Sequence, residues 1–168
     1  MREAAPCDLV TMEPWEIEHA VIVGGKRIIA NLKRGNALHY KDQFMESDWE
    51  AQPAAVLCEA AVAKFLGKYY DWSAWDAASH DQYRSGTDLD RIEVRRMRTR
   101  PSAAVRARDV SKGAYIWPAW VDMDHPESVY VFGGASAQYC WDNGTFASYD
   151  TTQQTKTFHP RILAGAYV

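Results

Sequence analysis

With 168 residues and a mass of 19.0 kDa the chain has the length of one compact domain, a size that buries roughly 70% of the unfolded surface without staples. Hydrophobic residues make up 47%, charged residues 24%, and the net charge is −3; these values fit a globular protein and exclude disordered, collagen-like and coiled-coil classes. The three cysteines, Cys7, Cys58 and Cys140, are widely spaced with no C-x-x-C pair, which argues against a disulfide framework or a zinc site. The N-terminus lacks the basic-then-apolar order of a secretory signal, and the apolar stretches are short of a membrane span. The expectation is a reduced, cytoplasmic protein with no membrane partner.

Thr11 is a candidate N-cap, followed by Glu13 and Pro14 at positions where acid and proline suit a first helical turn. Apolar residues from Ile17 to Leu32 recur near helical spacing, with Gly24-Gly25 as a weak point and Gly35-Asn36 as a stop. Residues 11–35 therefore read as an N-terminal helical segment, either one helix kinked at the glycines or two short ones. Residues 36–48 read as a connector or a short helix.

A second helix is expected over 54–66, with Pro53 in its first turn and Gly67 as terminator. Ala55, Cys58, Val62 and Leu66 form its apolar stripe, and Glu59 falls among them. A carboxylate on the core side is either a rim residue reaching water or a functional group. After a loop holding Trp72, Trp75, His80 and Gly86, the pattern changes to period two over 91–98, 103–108, 114–121 and 128–133. Turn-forming residues between these stretches predict four consecutive strands in an antiparallel meander, with Pro118 marking a sheet edge or a bulge. Residues 135–168 read as a loop-rich cover. The whole is one domain of α/β (α+β) class, in which N-terminal helices pack on a mainly antiparallel or mixed twisted sheet, with its core over 53–134.

Alternation places Glu93 and Arg95 on one face of the first strand, and Asp88 five residues earlier can reach the same end of the sheet. Asp90 is a rival with poorer spacing. Two converging carboxylates suit a hard cation such as Mg2+ or Mn2+, and Glu59 is a candidate third ligand. The alternative is a surface strand with an ordinary ion pair. Between Arg91 and Arg108 lie seven arginines against one acid, a local net charge of +6 beside −9 for the remainder. Such a hairpin suits phosphate backbones, with Arg96, Arg98, Arg106 and Arg108 as candidate nucleic-acid contacts, although charge that protects a sheet edge gives the same pattern. The five histidines show no ligand spacing, and Trp117, Trp120 and Trp141 read as packing residues, with stacking on unpaired bases as the alternative.

Glu59 on a helix, then Asp88, then Glu93-x-Arg95, resembles the P-D…(D/E)-x-K nuclease superfamily. More narrowly, E-A-A-V-A-K-F-L-G, D-L-D-R-I-E-V-R-R and Y-V-F-G-G look like a group of small proteins encoded by tailed phages. The resemblance implies a restriction-endonuclease-like core, carboxylates Glu59, Asp88 and Glu93 holding Mg2+ (or Mn2+), and hydrolysis of DNA, with Arg95 stabilising charge on the phosphate. For a phage protein the compartment would be the host cytoplasm. Arg95 occupies the superfamily's lysine position; arginine keeps the charge but is effectively never deprotonated. A catalytically inactive nuclease-like fold that binds nucleic acid or protein is the competing expectation. The oligomeric state is open, a homodimer included.

Overall fold

The computed structural model describes residues 7–34, 47–74, 87–98 and 101–165. Helix α1 (Pro14–Lys33) starts at Glu13 rather than Thr11, because Glu16 accepts the Glu13 backbone N–H at 2.6 Å in a capping box and Pro14 occupies the first turn. Thr11 belongs instead to strand β1 (Asp8–Thr11). The helix runs unbroken through Gly24-Gly25. Gly24 is where α1 meets the second helix: a Cβ there would stand 2.6 Å from the Pro53 nitrogen.

Helix α2 (Asp48–Phe65) begins a turn and a half earlier than its composition predicts, since Ser47 and Glu50 form a capping box and Pro53 lies inside the helix. Gly67, at φ 62°, closes it: Lys68 N–H bonds Ala63 O at 2.8 Å and Gly67 N–H bonds Lys64 O at 3.1 Å, the Schellman pattern. Most residues from Ala51 to Ala63 are buried, because α2 lies between α1 and the sheet. Its alanines let both neighbours approach closely.

The expected meander is replaced by two sheets. Strands β2 (Ile92–Arg96), β4 (Tyr115–Val121) and β5 (Ser128–Val131) join β1 in the order β1-β5-β4-β2. The β4–β5 and β1–β5 pairs are antiparallel, but β2 runs parallel to β4. Strand β3 (Ala103–Arg106) leaves this sheet and pairs with β8 (Thr155–Phe158), which pairs with β7 (Thr145–Phe146). Period-two alternation identifies a strand without naming its neighbour, and here helix α3 (Ala107–Ser111) occupies the expected turn and carries the chain from β3 to the start of β4. The segment read as a cover thus completes a second sheet, together with helix α4 (Ala137–Asp142) and a 3-10 turn (Pro160–Gly165).

Pro118 lies in an interior strand, opposite a bulge. Ala119 pairs with Val131 and Ile116 with Ala135 of β6 (Ala135–Ser136), so three steps on β4 face four along the β5–β6 segment. Gly134 sits in this bulge against the Trp117 indole, which leaves no room for a Cβ. Two buried clusters flank the first sheet. Ile92, Val94, Val121 and Val131 face α2, while Met97 and Ile116 face β3, α4 and the 3-10 turn.

Gly24→Ala gains helix propensity but forces α1 away from the Pro53 backbone. It is expected to lower stability by about 1–3 kcal/mol despite that gain, seen as a lower urea midpoint with unchanged helical circular dichroism.

Candidate functional site

Strand β2 carries the site. Its residues alternate across the sheet, so Glu93 and Arg95 face β3 and α3, while Ile92 and Val94 pack toward α2. The chain enters β2 through a tight turn in which Leu89 and Ile92 exchange both backbone bonds, at 3.0 and 2.8 Å, and Asp90 takes φ 56°. This turn folds Asp88 back along the strand, where its Oδ2 accepts the Val94 N–H at 2.7 Å. Asp88 therefore caps the side of β2 away from β4 and keeps an exposed face. Asp90 points elsewhere, 3.8 Å from Lys68 Nζ, and is largely exposed.

Glu59 reaches this region from α2. Arg27 donates to both its oxygens, at 2.9 and 2.8 Å, and the Tyr70 hydroxyl donates at 2.6 Å. Burial by itself raises the Glu59 carboxyl, but the Arg27 charge and these hydrogen bonds outweigh it and hold the group below its ordinary range. Glu93, only 6% exposed, accepts from Arg95 Nη1 at 3.0 Å through Oε2, and its Oε1 stands 3.8 Å from Lys112 Nζ. Arg95 is turned inward. Besides Glu93 it bonds Asp109 Oδ2 at 2.6 Å and the Ala104 carbonyl at 3.2 Å. Burial alone would lower its pKa; Asp109 and Glu93 raise it instead.

Asp88 feels both neighbouring acids. Enclosure by protein, then the negative charges of Glu59 and Glu93, push its carboxyl up to about 8, against weaker relief from Arg95 and the Val94 N–H. Asp88 keeps a solvent-accessible face, through which water screens part of that repulsion. Among the described residues no ion pair reaches Asp88, and no three His, Cys, Asp or Glu side chains stand ready-arranged around a common metal position. Glu59 has both oxygens committed to Arg27 and Tyr70. Of these three acids Asp88 alone is exposed, while Glu93 is buried but near enough for its charge to act on Asp88.

Of the four arginines singled out for phosphate contact, Arg108 is exposed, whereas Arg96, Arg98 and Arg106 are half-buried. Arg96 points toward α2, near enough for its charge to act on the Cys58 thiol. Four participants had no sequence signal assigned to them: Arg27, Tyr70, Asp109 and Lys112. Asp109 had a legible local cue, since it is the third helical residue after an extended Arg106 whose N–H it accepts at 2.8 Å. The partners of Arg27 and Tyr70 are 32 and 11 residues away along the chain, beyond the reach of periodicity.

No family model, curated protein or solved structure matches the chain. The site stands on its own geometry.

The raised carboxyl has a sign in stability. An acid with a folded pKa of about 8 and an unfolded value of 3.8 binds its proton more tightly when folded, so its contribution is fully present below pH 3.8 and is lost as pH climbs to about 8. Asp88→Asn should therefore gain stability relative to the native chain as pH rises from 4 to 8, measured by urea unfolding at several pH values. A difference independent of pH would contradict the raised pKa.

Proposed function

We propose that this chain is a Mg2+- or Mn2+-dependent phosphodiester hydrolase acting on DNA, built on a restriction-endonuclease-like core. The observation that carries the reading is Asp88: a solvent-accessible carboxylate without a cationic partner among the described residues, held between the charges of Glu59 and Glu93. A carboxyl open to water at a sheet edge, whose proton is held by the charge of two buried carboxylates, is a place where a hard divalent cation can replace that proton and relieve the repulsion. Asp88 and Glu93 would hold it. Glu59, fixed by Arg27 and Tyr70, contributes negative charge that acts on Asp88.

A bound Mg2+ or Mn2+ would supply charge neutralisation to the phosphate and a lower pKa to water. The chain's own groups do the rest. Asp109 and the Ala104 carbonyl fix Arg95, and Arg95 fixes Glu93, which makes Arg95 a positioning residue with its charge shared between two acids. Lys112, with its ammonium 3.8 Å from Glu93, is a cation placed to orient an attacking water or to meet a phosphate oxygen. Attack by water on phosphorus breaks one P–O ester bond and leaves a phosphate monoester and a hydroxyl. Exposed Arg108 and Arg91 suit contact with the flanking backbone.

A second reading, a nuclease-like fold that binds nucleic acid without cutting it, is favoured by the internal commitment of Glu59 and Arg95. Incubation with linear, circular and single-stranded DNA plus Mg2+ or Mn2+ separates the two. Asp88→Ala and Glu93→Ala are each expected to reduce cleavage by at least ~100-fold. Cleavage unchanged in both variants removes the assignment; absent cleavage with salt-sensitive binding selects the second reading. Cleavage at fixed subsaturating Mg2+ should also rise with pH up to about 8, by about tenfold per unit below it, because the Asp88 proton must leave before a cation binds.

A further inference from the structure

We propose that the outer face of α1 is a self-association surface on which two copies of this chain pack antiparallel about a two-fold axis near Gly25. The inner face of α1 is spent on α2, with Ala20, Val23, Gly24 and Ile28 buried. The opposite face of such a helix ought to be polar. Instead Val21, Ile22, Ile29 and Leu32 are 48–54% exposed on one stripe, spaced so that Gly25 lies between the two pairs. Trp49 of α2, also exposed, borders the stripe beside Gly25. A contiguous apolar face of this kind marks an interface rather than scattered surface residues.

Charge selects the occupant and its direction. Glu18 and Lys33, both exposed, lie seven and eight residues either side of Gly25, about 11 and 12 Å along the axis. An antiparallel copy crossing at Gly25 sets Glu18 beside the Lys33 of the second copy, twice by symmetry, and Val21 against Ile29. A parallel copy would set Glu18 against Glu18. Gly25 has no side chain to hold the two backbones apart at the crossing. The surface is therefore complementary to itself in one orientation, as a two-fold interface requires.

Sedimentation velocity of the full chain over a concentration series tests this, with circular dichroism confirming that each variant is folded. The native chain should dimerise with a dissociation constant on the order of 10 μM, the scale of a small interface. Ile29→Glu, at an exposed position, should abolish association, and Glu18→Lys should weaken it by ~10-fold. Glu18→Lys combined with Lys33→Glu should restore it, since the reciprocal swap rebuilds the same pairs. A native chain that stays monomeric up to ~100 μM overturns the proposal. So does association that Ile29→Glu leaves intact, or a double swap that fails to recover. None of these readouts depends on DNA cleavage.

Discussion

A carboxylate removed from water must be compensated, and that constraint organises this molecule. Among the described residues four acids are buried: Glu16, Glu59, Glu93 and Asp109. Each has a cation at hand. Lys64 meets Glu16 at 2.7 Å, Arg27 meets Glu59 at 2.8 Å, and Arg95 bridges Glu93 and Asp109 at 3.0 and 2.6 Å. These pairs join α1 to α2, α2 to the β1 end of the sheet through the Lys64 bond to the Thr11 carbonyl, and β2 to α3. The polar connections therefore tie together the same elements that the apolar clusters pack, and removal of one partner leaves the other charge stranded in a low-dielectric setting.

Asp88 stands apart from that pattern. Its position follows from the turn through Asp90, which returns the chain so that a side chain, rather than a neighbouring strand, satisfies the Val94 N–H. The same placement brings it between acids that arrive from opposite sides of the sheet, Glu59 from the α2 layer and Glu93 from the β3 layer. A sheet edge is where this meeting is possible, since within the sheet the strands would separate the two layers. Proton affinity, accessibility and the functional reading all descend from that edge position.

Much of the local structure is legible in the sequence. The end of α2 at Gly67 follows from a residue that tolerates a left-handed backbone, and the alternation that puts Glu93 and Arg95 on one face follows from strand geometry. The inward direction of Glu59 is legible from helical spacing. The starts of the helices are less so, because Glu13 with Glu16 and Ser47 with Glu50 compete with Thr11 as a cap and with Pro53 as a first-turn residue, and the reciprocal side-chain bond decides.

Sequence alone determined that α1 and α2 are helical, that β2, β4 and β5 are extended, and which charged residues have the chemistry to hold a cation or meet a phosphate. Those properties depend on neighbours within a few residues. Tertiary structure decided that β2 lies parallel to β4, that β3 joins a different sheet, that Arg95 is spent on Asp109, and that Lys112 and Arg27 attend the acids. Strand partnership and ion pairing are settled by which distant groups burial brings together, and alternation along one strand is the same whichever neighbour it finds.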